Sequence, residues 1–77
     1  MTDSEQVSAI LSRPYSRVLV PDENGGYSAT VREFPGCFAE GDTANEAIQN
    51  LESAAESWLL SCLGMGRTIP EPEVSFD

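Results

Sequence analysis

The groups with which this chain could do chemistry are the acids Asp22, Glu23, Glu33, Glu40, Asp42, Glu46, Glu52 and Glu56 and the thiols Cys37 and Cys62. A serine or cysteine nucleophile needs a base, usually histidine, to take its proton. The sequence has no histidine. Two distant cysteines cannot by themselves make a four-ligand zinc site. Carboxylates hold magnesium or calcium only where several oxygens converge within about 2.0–2.6 Å of the ion. Here the spacing gives the acids other work. Asp22-Glu23-Asn24 bends a turn. Asp42 and Glu46 sit at a helix start, where the dipole favours negative charge. Glu52 and Glu56 form an i,i+4 pair on the solvent-side flank of that helix. No catalytic, cofactor-binding or metal-binding residue is expected, and no enzyme.

Gly25-Gly26 is not a phosphate loop, because it leads into a strand rather than a helix N-terminus. The aromatic set Tyr15, Tyr27, Phe34, Phe38 and Trp58 could stack bases, but the basic half of such a site is missing. Core packing accounts better for most of them.

Charge narrows the partners. Thirteen acids oppose four bases, for a net charge of −9. The bases are Arg13, Arg17, Arg32 and Arg67, and there is no lysine. Such a surface repels phosphate backbones and attracts basic proteins, including those that themselves bind RNA. It also serves plain solubility. Free cysteines suit a reducing cytoplasm. No charged-then-apolar leader opens the chain and no apolar run approaches the roughly twenty residues that cross a membrane. A cytoplasmic protein without membrane contact is expected.

These residues must be carried by a single domain of 77 residues, small enough to be only marginally stable alone. Thr2 and Glu5 have capping-box spacing, and Val7, Ile10 and Leu11 share one face of a short helix that Pro14 stops. Residues 1–14 read as this helix or arm, and residues 15–77 as the domain proper. Tyr15 to Val20 is the first strand. Gly25-Gly26 permits a tight hairpin turn. Tyr27, Ala29 and Val31 alternate with Ser28, Thr30 and Arg32 as a half-buried strand. Phe34-Pro35-Gly36 reverses the chain, and Cys37-Phe38-Ala39-Glu40 returns.

Thr43 caps the long helix and Glu46 completes its capping box. Ala44, Ala47, Ile48, Leu51, Ala55, Trp58, Leu59 and Cys62 form one apolar stripe to about Leu63. Gly64 is expected at C′. Glu73 to Phe76 is expected as an optional edge strand. Leu60 points nearly opposite the centre of the stripe and Leu63 lies off centre. Such leucines are either isolated exposed side chains or contacts for another chain. Arg17 and Arg32 are expected on the sheet face away from the helix, beside Ser28 and Thr30. There they are either ordinary solvated positions or part of a contact with another chain.

The order Pro21-Asp22-Glu23-Asn24-Gly25-Gly26-Tyr27, Phe34-Pro35-Gly36-Cys37, Gly41-Asp42-Thr43 with Glu46-Ala47, and Ile69-Pro70-Glu71-Pro72 resembles the HicB antitoxins. The resemblance runs from about Tyr15 to Pro72. It implies an α+β fold: a three- to four-stranded antiparallel sheet with one long helix packed on one face, similar to part of ribonuclease H. No acidic constellation here matches a nuclease motif, so that similarity carries no catalysis. It further implies that the chain binds and neutralises a HicA-type RNA-cleaving toxin, a small basic partner similar to double-stranded-RNA-binding domains. The alternative is an orphan oligomeric interaction domain without a toxin. Family members often carry a DNA-binding segment after Ile-Pro-Glu-Pro. The chain ends at Asp77, so autorepression is not expected of it, and its negative charge disfavours direct nucleic-acid binding. A homo-dimer or tetramer is expected from the small core. Candidate contacts for toxin or second subunit are Leu60, Leu63, Arg17, Arg32, Glu52 and Glu56.

Overall fold

The computed structural model describes residues 2–73. The elements run α1 (Asp3–Leu11), β1 (Arg17–Pro21), β2 (Tyr27–Val31), β3 (Phe38–Gly41) and α2 (Ala44–Gly64). The strands form one antiparallel meander in the order β1-β2-β3. The fold is the expected α+β arrangement, with the long helix on one sheet face and the short helix α1 packed on α2. The fourth strand expected over Glu73–Phe76 lies, apart from Glu73 itself, outside the described residues. No described helix is long and apolar enough to cross a membrane.

Register decides which side chains share a face. Arg17 pairs with Val31, Leu19 with Ala29 and Ala29 with Ala39, and these face α2. Val18–Thr30–Phe38 and Val20–Ser28–Glu40 form the opposite, outer rows. Arg17 therefore sits on the helix side, which corrects the outer-face expectation. Its Nε donates to Glu52 on α2 at 2.6 Å. Arg32 lies just past the end of β2 and is exposed.

The two turns are built as the sequence requires. In the first, the Asn24 N–H donates to Asp22 Oδ1 at 2.9 Å and the Asp22 N–H to the Gly26 carbonyl at 3.0 Å. In the second, the Phe34 ring drops into the core. It stacks on Trp58 with centroids 4.4 Å apart and 6° between planes, and meets Tyr15 at 4.6 Å. Trp58 Nε1 donates to the Pro35 carbonyl at 2.9 Å, fixing the turn to α2. Phe34, Leu51 and Leu59 are fully buried.

α2 starts as expected, with Thr43 accepting from the Glu46 N–H at 3.1 Å. Its first turns lie almost on the sheet. A Cβ on Gly41 would run into the Ala47 nitrogen and stand 2.8 Å from the Glu46 carbonyl carbon and 2.9 Å from the Ala47 Cα. Only a residue without a side chain fits there, and Ala47 itself is wholly buried.

The helix end differs from the expectation. Gly64 is its last helical residue and Met65 its C-cap. The left-handed C′ position falls to Gly66, at φ +68°. The Arg67 N–H donates to the Cys62 carbonyl at 2.9 Å and the Gly66 N–H to the Leu63 carbonyl at 3.2 Å. These are the paired bonds of a Schellman ending. A single glycine pattern before a loop does not say which of two nearby glycines takes the reversal.

The two glycines give opposite expectations. Gly41→Ala should cost about 3 kcal/mol, because the clash is with backbone that cannot turn aside. Gly64→Ala, with open space around the added Cβ, should stabilise by about 0.5–1 kcal/mol, as alanine does in a helix interior. Urea midpoints of the two variants against wild type check both signs.

Candidate functional site

α1 buries Val7 and Ile10 and lies beside the second half of α2, leaving a groove of about 720 Å³ between them. One wall is α2, where Glu52, Glu56 and Leu60 recur every fourth residue and so form a single row. The other is α1, with Asp3 and the small residues Ser4, Ser8 and Ser12, and with Val7 and Leu11 toward the floor. Leu60 remains 44% exposed. The structure thus brings three of the expected contact residues, Leu60, Glu52 and Glu56, to one place. Leu63 is not among them, since it is half-buried against the core.

Arg17 sets the inner end of this groove. Besides Glu52, its guanidinium donates to the carbonyl of Leu11, the last residue of α1, at 3.4 Å and to that of Tyr15 at 3.3 Å. A cation at a helix C-terminus is favoured by the dipole. Glu52 keeps 38% of its side chain exposed, so the ion pair contributes at most about 1 kcal/mol. Its effect is to orient α1 and to engage one of the groove's acids. Glu56 and Asp3 have no ion-pair partner among the described residues. Glu52 therefore corrects the expectation of a plain solvent-side flank.

The outer face of the sheet is the second uncovered surface. Val18, Val20 and Phe38 are 40%, 50% and 64% exposed. Phe38 departs from the expectation of core packing because the register pairs it with Thr30 in an outer row. Cys37 precedes the strand and is buried, and the alternation turns Phe38 outward. Arg32 stands near this face, 4.0 Å from Glu73 at an exposed position, away from the groove.

A buried carboxylate anchors the chain after α2. Glu33 is only 5% exposed and accepts from the Ser16 N–H at 3.0 Å and the Glu73 N–H at 2.8 Å. Tyr15 adds a hydrogen bond to the Pro70 carbonyl at 2.6 Å. Burial pushes the Glu33 carboxyl up, but the backbone donors of Glu73 and Ser16 outweigh it and hold the group below its ordinary value. Burial raises the Cys37 thiol, with Glu52 adding to the effect, so it stays protonated and unreactive. Among the described residues no three acids, cysteines or histidines gather as a metal site.

Comparison with known proteins agrees with this geometry. Residues 15–75 match the family described as HicB_like antitoxin of bacterial toxin-antitoxin system. The chain is 33% identical over 60 residues to UPF0150 protein ssr1765 of Synechocystis, covering 78% of this chain and 76% of that one. It is 34% identical over 56 residues to UPF0150 protein Ta0767 of Thermoplasma acidophilum, covering 73% and 81%. The crystal structure of TTHA0281 from Thermus thermophilus superposes with a TM-score of 0.63 at 28% identity, covering 100% of this chain and 98% of that one.

Glu33 gives the expected pH dependence. Its folded pKa is depressed, so its contribution is fully present above the unfolded glutamate value of about 4.3 and is lost as pH falls through the lowered folded value. Glu33→Gln should lose about 2 kcal/mol at neutral pH. The gap between variant and wild type should close in acid. Denaturation series at several pH values check this; a constant gap would assign the loss to packing instead.

Proposed function

The chain belongs to the HicB-like antitoxin family, and from that premise we propose that it neutralises a HicA-type RNA-cleaving toxin by covering the toxin's basic, RNA-binding surface. Its role is antitoxin-like, and no residue needs to be catalytic for it. The observation that carries the reading is the charge: thirteen acids against four bases, with Arg17 already engaged by Glu52 inside the fold. A protein so charged competes with RNA for a basic face through long-range attraction and then excludes RNA by bulk. Apart from Glu52, the acids on α1 and α2 have no ion-pair partner among the described residues and can act in this way, whereas Glu33 is consumed by the fold.

Self-association is a separate part of the proposal. The outer sheet face suits a second copy, because it exposes Val18, Val20 and Phe38 beside the uncharged Ser28 and Thr30, with its acid Glu40 at one side. Burying such a face would supplement a core that is small for independent stability. The same observation would serve an orphan oligomer without a toxin.

A small basic protein encoded beside this one should cleave RNA alone and lose that activity when this chain is added one-to-one. Cleavage that continues in the presence of excess chain would contradict the proposal. The complex should weaken as sodium chloride rises from about 0.1 M to about 1 M and the screening length falls from about 10 Å to about 3 Å. In sedimentation, Val20→Glu should shift an oligomeric wild type to monomer; a wild type that is monomeric throughout would remove the outer face as a contact.

A further inference from the structure

We propose that the α1/α2 groove is a receptor for one amphipathic basic helix of the partner, seated with its apolar side on Leu11 and Leu60 and its cations against Asp3, Glu52 and Glu56. This rests on the antitoxin reading only for the partner's basic character. The dimensions fit a helix. The α2 row from Glu52 to Leu60 covers about 12 Å of axis at about 1.5 Å per residue, which is close to two turns. A helix laid there meets Leu11 at the Arg17 end and Leu60 at the far end of the α2 row, with Glu52, Glu56 and Asp3 beside them, the mixed apolar and charged lining used in helix-in-groove recognition. The serines of α1 leave room for close approach.

An extended segment fits less well. Both walls are helices whose backbone groups are bonded within themselves, so a strand in the groove would leave its own amides unpartnered. A helix brings its backbone already satisfied. A second copy of this chain is also disfavoured, because its own acids would meet Asp3 and Glu56 across the contact. The groove and the outer sheet face therefore take different occupants.

The test uses a fluorescein-labelled, alanine-based peptide of about 14 residues with leucines at i and i+4 and arginines flanking them. A control has the same composition scrambled so that no apolar stripe forms. Fluorescence anisotropy with the full chain should show the amphipathic peptide binding at least about tenfold tighter than the scrambled one. Leu60→Glu and Glu56→Arg should each remove most of that difference, while Val20→Glu, on the outer sheet face, should leave it. Circular dichroism and urea midpoints establish that each variant is folded. Equal binding of both peptides would overturn the inference and reduce the surface to general acidity. So would loss with Val20→Glu and retention with Leu60→Glu. Because the probe is synthetic, the groove can fail while toxin neutralisation stands, and toxin neutralisation can fail while the groove still binds its helix.

Discussion

The close approach of α2 to the sheet at Gly41 governs the rest of the molecule. With the Ala47 nitrogen standing where the Cβ of any other residue would have to go, the start of the helix is held against the end of β3. The small residues Ala47 and Ala55 keep the helix low along the sheet, and Leu51, Leu59 and Trp58 fill the space that opens beyond them. That same placement decides where Phe34 can lodge, between Tyr15 and Trp58. It also leaves one flank of α2 uncovered by strands. α1 takes that flank, and the groove is the gap that two helices of unequal length leave between them.

The acids divide by what surrounds them. Glu33 is buried and bonded to backbone donors, so it belongs to stability. Glu52 stands between the two roles: Arg17 holds one of its oxygens closely, and the remaining exposure faces the groove. Glu56 and Asp3 are exposed and contribute field rather than structure. The consequence is a molecule with two chemically different open faces. One is sheet-built and exposes Val18, Val20 and Phe38, suited to a like surface. The other is acidic and helix-built, suited to a basic one. Separate faces allow self-association and partner capture to coexist.

Much of the fold was legible because its signals are local. The alternation over Tyr27–Val31, the turn glycines, and Thr43 with its partner Glu46 each act within a few residues. The same holds for the apolar stripe of α2. What escaped was set by long-range placement. Arg17 reads as an outer-face residue if β1 is considered alone; its pairing with Val31 and the reach to Glu52 turn it inward. Phe38 reads as core until its pairing with Thr30 places it in an outer row. Gly64 and Gly66 are close enough that only the backbone conformation separates them. Glu33 looks like any strand-end acid, and nothing local announces that Ser16 and Glu73 will converge on it. Of the site, Leu60, Glu52 and Glu56 were visible as residues out of pattern or at helical spacing. That α1 would lie beside them was not, since its position depends on packing against α2.

The measurement that tests the central claim most directly is hydrogen–deuterium exchange of this chain, alone and bound to the amphipathic basic peptide. An acidic helical groove that receives a basic partner predicts added protection over α1 and over residues 52–60 of α2, with β1 and β3 unchanged on partner binding. Protection confined to β1 and the outer sheet rows, with α1 exchanging as in the free protein, would contradict it.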